Sequence, residues 1–220
     1  MTNGPSDMRT VILDEAEMLF ASKGVAETSL RDVTRSAGVN VAAVSYYFGG
    51  RDNLVRQVIL RRVRPLNAER LELLDEAISA EEGPTMERVL RAFVAPAIRL
   101  RAQPGPGRDF VHLMGHLQTE TSPVLRAIIA EEFREVYERF SDALRSFSPE
   151  LSASALAVRL NFIVGALVGT LSCGHLVSML DGEARSLDEL DSEELIAHLV
   201  RFMEGGFLAG LPENPEGAER

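Results

Sequence analysis

Residues 28–54, TSLRDVTRSAGVNVAAVSYYFGGRDNL, constrain the fold more tightly than any other stretch of the chain. They read as two short helices meeting at Gly38, with another helix opening just beyond Gly49 and Gly50. Thr28 is placed to cap the first helix, and Leu30, Val33 and Ala37 then share an inward stripe at helical spacing. Gly38 supplies the positive φ of a tight turn, and Val39 plugs the junction. The second helix, 41–48, turns Val44 and Phe48 inward and leaves Ala42, Ala43, Ser45, Tyr46 and Tyr47 on its other face. Small side chains, hydroxyls and flanking arginines suit a DNA major groove better than solvent or a core. The pattern is a helix-turn-helix.

Charge is consistent with that pattern. The whole chain carries a net charge of −10, which alone argues against a nucleic-acid partner. Between positions 29 and 64, however, seven arginines (31, 35, 51, 56, 61, 62 and 64) face only Asp32 and Asp52, a local +5. A basic reading head on an acidic body fits this asymmetry, and on charge alone a solvated helix face fits it equally well.

The rest of the chain shows no period-two alternation, while spacings of three and four recur, so the expected fold class is all-α. A first helix is expected over 7–23, closed by Gly24, and a fourth from 51 to about 79, bent or divided at Pro65. Thr85 caps a helix reaching about 102, kinked at Pro96, and a loop at 103–107 precedes a short helix, 108–119. Ser122-Pro123 and Ser148-Pro149 each combine a cap with proline at the first helical position. The first opens a helix to about 147, and the second a long helix to about 180. A polar connection over 182–191 leads to a last helix, 192–208. Three units follow: a helix-turn-helix domain over 1–50, a helical effector-binding and dimerisation domain over 51–211, and a disordered tail over 212–220.

Other chemistry is sparse. A single cysteine, Cys173, excludes an intramolecular disulfide and sits in an apolar helix, as a buried structural thiol does. His112 and His116 share one side of a helix turn, but no third ligand stands at matching spacing, so no metal is expected. No serine is paired with a base, no glycine-rich phosphate loop occurs and no carboxylate pair stands out, so neither catalysis nor a cofactor is expected. No secretory pattern opens the sequence, and the longest apolar run, 162–171, falls short of the ~18 residues of a membrane span. These features lead us to expect a cytoplasmic protein without a membrane partner.

The first quarter of the chain resembles the DNA-binding domain of TetR-family bacterial transcriptional repressors. The resemblance runs from the long first helix through the helix-turn-helix to FGGRDNL at 48–54, with caps, turn glycine and inward residues in order. The family often has tyrosine where this chain has Ser45, which shifts backbone contacts to Tyr46 and Tyr47. The resemblance implies that Thr28, Arg31, Tyr46, Tyr47 and Arg51 position the phosphates, while Asn40, Val41, Ala42, Ala43 and Ser45 face the groove. It also implies a homodimer in which the last two long helices of each subunit form a four-helix interface. Leu156, Phe162, Gly165, Gly169, Leu195, Leu199 and Phe202 are the candidate contacts, the glycines allowing close helix approach. Two such heads demand a near-palindromic operator in double-stranded DNA.

A small-molecule effector is expected among the middle helices. Candidate lining residues are Phe93, Phe110, Leu113, Met114, Leu117, Phe133, Tyr137, Phe162 and Ala166, with His116 and Arg99 as polar groups and Arg99 placed to neutralise a carboxylate. The segments at 108–122 and 159–167 are similar to regulators of fatty-acid metabolism, which implies an apolar or amphipathic acyl-type effector, with an aromatic or drug-like effector as the alternative. A different class of function remains open: a helical small-molecule carrier whose first helices dock a protein partner.

Overall fold

The computed structural model describes residues 5–103, 110, 123–172, 176–181 and 185–210, and among them all regular structure is helical. The head comprises α1 (Pro5–Lys23), α2 (Leu30–Ser36) and α3 (Val41–Phe48). The body comprises α4 (Arg51–Ser79), α5 (Met86–Ala102), α6 (Pro123–Arg145), α7 (Ala153–Ser172), the short α8 (Leu176–Leu180) and α9 (Ser192–Leu208). A single 3-10 turn, Leu187–Glu189, precedes α9.

Local signals set most of these boundaries. Asn40, Thr85 and Asp191 each accept a backbone N–H from three residues on, starting α3, α5 and α9. Gly49 takes the left-handed conformation, φ 70°, that closes α3 and turns the chain into α4. Pro65 does not divide α4, which runs unbroken for 29 residues. The proline forfeits one hydrogen bond to the Arg61 carbonyl but is exposed, where water can satisfy that oxygen. The helix expected from Pro149 begins later, at Ala153, because Ser152 provides a competing cap: its hydroxyl accepts from Ala155 N at 3.2 Å. It also ends at Ser172, and Leu176–Leu180 forms a separate helix.

α4 is the spine. Its N-terminal half packs on α1 and α3, and its C-terminal half packs on α5 and α6, while α9 lies against α5. One continuous apolar core runs from Ile12, Phe20, Val44 and Phe48 in the head to Val94, Phe140, Ile196 and Phe207 in the body. Helix α7 is different. At 20 residues and mean hydropathy 1.7 it is long and apolar enough, by length and composition, to cross a membrane, contrary to the shorter run expected from sequence, and only 22% of that stretch is buried.

The head is bolted to the spine by a buried ion pair. Glu17 on α1 is 2% exposed and accepts from Arg62 Nε at 2.7 Å and Nη2 at 3.2 Å, a bidentate fork. Removing Arg62 deletes both charge-assisted bonds and leaves the buried carboxylate only Arg61 Nη1, at 3.8 Å, a change that costs about 3 kcal/mol. Arg62→Met should therefore lower the melting temperature by about 6–12 °C. An unchanged melting temperature in a thermal scan shows that the pair does not hold α1 on α4.

Candidate nucleic-acid interface and buried cavity

The helix-turn-helix is built so that one face of α3 has nowhere to go but outward. Val44 and Phe48 are buried under α4, which leaves Val41, Ala42, Ser45 and Tyr46 exposed on the opposite side, Tyr46 at 82%. Ala43 and Tyr47 lie at the edge, half-buried, with the Tyr47 ring edge-on to both Tyr46 and Phe48. Asn40 Oδ1 accepts from Ala43 N at 2.9 Å, so its acceptor is committed to the cap and its amide NH2 is the group left to reach outward. Asn53 Nδ2 donates to the Phe48 carbonyl at 2.7 Å and seals the C-terminal end of α3.

One phosphate candidate is internal, and a second is half-buried and committed to backbone carbonyls. Thr28 is 1% exposed, and its hydroxyl donates to the Gly24 and Leu19 carbonyls at 2.8 and 3.3 Å, so it ties α2 to the end of α1. The cap falls to Ser29 instead, in a reciprocal box with Asp32: Asp32 N donates to Ser29 Oγ, and Ser29 N donates to Asp32 Oδ2. The Ser29 hydroxyl and N–H hold the Asp32 carboxyl below its ordinary value. Arg51 Nη2 donates to the Thr28 carbonyl at 3.2 Å and to the Val25 carbonyl, bracing the turn that leads into α2. Arg51→Ala should therefore destabilise the protein by about 1–2 kcal/mol, read from urea unfolding. Full stability would return Arg51 to the surface role expected from sequence. Arg31 and Arg35 are exposed on α2, Arg35 lying 3.5 Å from Asp32.

The basic stretch is also less basic in space than in sequence. Arg61 and Arg62 pair with Asp14 and Glu17 on α1. Arg64 forks onto Glu132 of α6 at 3.0 and 3.1 Å, and Arg56 reaches Glu131 at 2.9 Å. These four arginines fasten α4 to its neighbours. The Arg64 guanidinium holds the Glu132 carboxyl below its ordinary value, against partial burial that pushes it up. A depressed carboxylate contributes stability above about pH 4.3 that is lost as pH falls through its folded value, so acid loosens the α4–α6 joint.

Between α4, α5, α6 and α7 lies a cavity of about 420 Å³. Phe93, Phe110, Phe133 and Tyr137 line it as expected, together with aliphatic residues that sequence reading passed over, such as Leu66, Ile129, Ile163 and Leu167. Tyr137 and Val164 are exposed and mark its mouth. Leu113, Met114, His116 and Leu117, with His112 and Cys173, lie outside the described residues. Three expectations are corrected. Arg99 turns away from the cavity and donates to Glu193 of α9 at 3.0 Å, beside Arg91 on the same carboxylate. Phe162 is 68% exposed and Ala166 stands beside it, both on a groove between α7 and α9 rather than in the cavity.

The charged group that does line the cavity is Arg70. It is 3% exposed, donates from Nε to the Phe93 carbonyl at 2.9 Å and from Nη1 to Asn67 Oδ1 at 3.2 Å, and stacks 4.7 Å from the Phe93 ring. Burial pushes its pKa down to about 10, which leaves it charged at neutral pH. A signal for it exists in the sequence: Leu66, Arg70 and Leu74 share one stripe of α4, and the middle position is a cation.

The second exposed face lies on α7 and α9. Phe162 and Phe202, the latter 72% exposed, stand over the groove that also holds Gly165, Gly206 and Met203. A Cβ built at Gly165, Gly169, Gly205 or Gly206 meets no atom within 4 Å. Leu156, Leu195 and Leu199, expected at this face, are instead buried in the subunit's own core, because α9 also packs on α5 and α7 within the subunit, whereas Phe162, Phe202 and the four glycines are exposed.

Known proteins share both halves of this arrangement. Residues 12–58 match the family of bacterial regulatory proteins, tetR family, and residues 91–206, more than half of the chain, match the tetracyclin repressor-like C-terminal domain. The probable HTH-type transcriptional regulator YttP of Bacillus subtilis is 46% identical over 48 residues, 22% of this chain and 23% of that protein. The chain thus spans about a quarter of the length of the curated relatives it matches. A TetR-family transcriptional regulator from Bordetella parapertussis shares the fold at TM-score 0.68 and 19% identity, over 94% of this chain and 98% of that one. The fatty acid degradation regulator FadR from Bacillus halodurans does so at TM-score 0.67 and 16% identity, over 96% and 100%. These are transcriptional regulators and not enzymes, and the match across both domains means that the chain belongs to the TetR family.

Proposed function

We propose that the protein is a dimeric, ligand-released repressor that reads a near-palindromic DNA operator in the cytoplasm. The observation that carries this reading is α3. Its apolar side is locked into the core, and its outward side offers Val41, Ala42, Ser45 and Tyr46, short enough for the helix to sit deep in a major groove. In this role Asn40, Val41, Ala42, Ala43 and Ser45 meet base edges, while Arg31, Tyr46 and Tyr47 contact the backbone. Having few long polar side chains, α3 draws part of its sequence preference from methyl contacts and DNA shape.

The exposed α7–α9 face is the place for a second subunit. Four glycines with no neighbour among the described residues each cost an exposed helix about 1 kcal/mol relative to alanine, which a closely approaching partner helix explains. Such a partner, rather than lipid, also covers Phe162 and Phe202 and accounts for the unburied apolar length of α7.

Release follows from the route between cavity and head. Phe133, Val136 and Phe140 of α6 line the cavity, and Glu131 and Glu132 of the same helix hold Arg56 and Arg64 of α4. A ligand that displaces α6 therefore pulls on α4, whose first turns carry α3. Shifting the dimer between DNA-competent and released states needs only a few kcal/mol of differential affinity.

Selection of bound sequences from a random duplex pool, at two salt concentrations, tests the reading. A recovered palindrome, bound less tightly at higher salt, is the expected result. Recovery of nothing above background sinks it and favours a carrier that docks a protein partner.

A further inference from the structure

The cavity poses a chemical question that an all-apolar ligand does not answer. Its wall is almost entirely aliphatic and aromatic, yet one lining side chain is a guanidinium that remains charged. Burying a charge without a counter-ion is costly, and a leucine or methionine at this stripe position would avoid the cost. Among the described residues no carboxylate lies within ion-pair distance of Arg70, and two of its five N–H donors have acceptors, both neutral. The Phe93 ring holds the guanidinium by its face, with the Phe133 ring 6.0 Å away, so its edge is the part left for hydrogen bonding.

We infer that the effector is an apolar molecule bearing a carboxylate, seated with its chain against Phe133, Val136 and Leu167 and its head group on the Arg70 fork. This rests on the cavity being the effector site. Size sets the chain length. A cavity of about 420 Å³ falls at the small end of ligand sites, so a medium-length chain, with a twelve-carbon carboxylic acid as the probe, is the fitting class. The position of Arg70 also gives the head group a consequence. Arg70 Nη1 donates to Asn67 Oδ1, and Asn67 Nδ2 donates to the Glu132 carbonyl at 2.8 Å. An anion on the free edge of Arg70 is thus one side chain away from Asn67, which is one of the ties between α4 and α6.

The test is calorimetric titration of the full-length protein with dodecanoate, dodecan-1-ol and methyl dodecanoate, all below their aggregation limits. Dodecanoate should bind at least about ten-fold more tightly than the alcohol or the ester, as a charge-assisted pair does. Arg70→Met should abolish that preference, and Arg70→Lys should keep part of it. Equal affinity of the wild-type protein for acid, alcohol and ester overturns the carboxylate while leaving the cavity as the ligand site. Absence of binding by all three overturns the cavity reading itself. A preference that survives in Arg70→Met removes Arg70 as the anchor. The wild-type comparison of acid with ester needs no variant, so a poorly folding Arg70→Met leaves the inference testable.

Discussion

Gly169→Leu should leave the protein monomeric, with unchanged helical content, if the α7–α9 face is the dimer interface as proposed. Within the subunit the substitution is harmless, since a side chain at 169 enters open space and leucine is a better helix former than glycine by about 0.8 kcal/mol. The same side chain projects from the α7 face where a partner helix must approach closely. Sedimentation should report one 24.1 kDa chain instead of two. Losing the second head removes the gain from linked binding, so affinity for a full palindrome should fall about 10²-fold or more, while affinity for an isolated half-site stays level. Helicity by circular dichroism is the appropriate check on folding, because association of two subunits would itself raise the melting temperature. A variant that still sediments as a dimer places the interface elsewhere.

How far the sequence foretells all this depends on the range of the signal. The bounds of α3 and α9 are legible because a cap, a glycine and an apolar stripe agree within ten residues of each other. Thr28 and Ser29 are adjacent hydroxyls that can both cap. The contact from Thr28 to the Gly24 carbonyl takes one of them away, and Asp32, three residues past Ser29, completes the box that makes Ser29 the cap. The arginines of α4 are visible as charges, but their partners Glu17 and Glu132 lie 45 and 68 residues away, so an unpaired basic surface is expected where the fold has ion pairs between helices. On α7, which is apolar around most of its circumference, periodicity cannot say which side meets the core. Phe162 therefore read as both cavity and interface, whereas Leu156 turns in and Phe162 turns out. Arg70 is the opposite case. Its place on the Leu66–Leu74 stripe was readable, and a cation on an inward stripe is a stronger pointer to a ligand than another phenylalanine.

Ala42→Glu separates the reading surface from the fold that presents it. Ala42 is the second residue of α3 and is exposed, so a glutamate there adds no strain. The first turn of a helix even favours a negative charge, by about 0.3–1 kcal/mol, because the N-terminal amides carry partial positive charge. Thermal stability should consequently be unchanged or slightly raised. On DNA the same carboxylate is carried into the groove between two rows of phosphates, where it meets like charge and loses its water without a cation to replace it. Operator affinity should drop about 100-fold or more, and non-specific DNA should be disfavoured as well. Ligand titration into the cavity should be unaffected, since α3 contributes none of its lining. Retention of full operator affinity would falsify the assignment of this face to the major groove. Loss of affinity accompanied by unfolding would instead mean that the exposed side of α3 is needed by the head itself, which its burial pattern argues against: Val44 and Phe48 already fill the contact with α4.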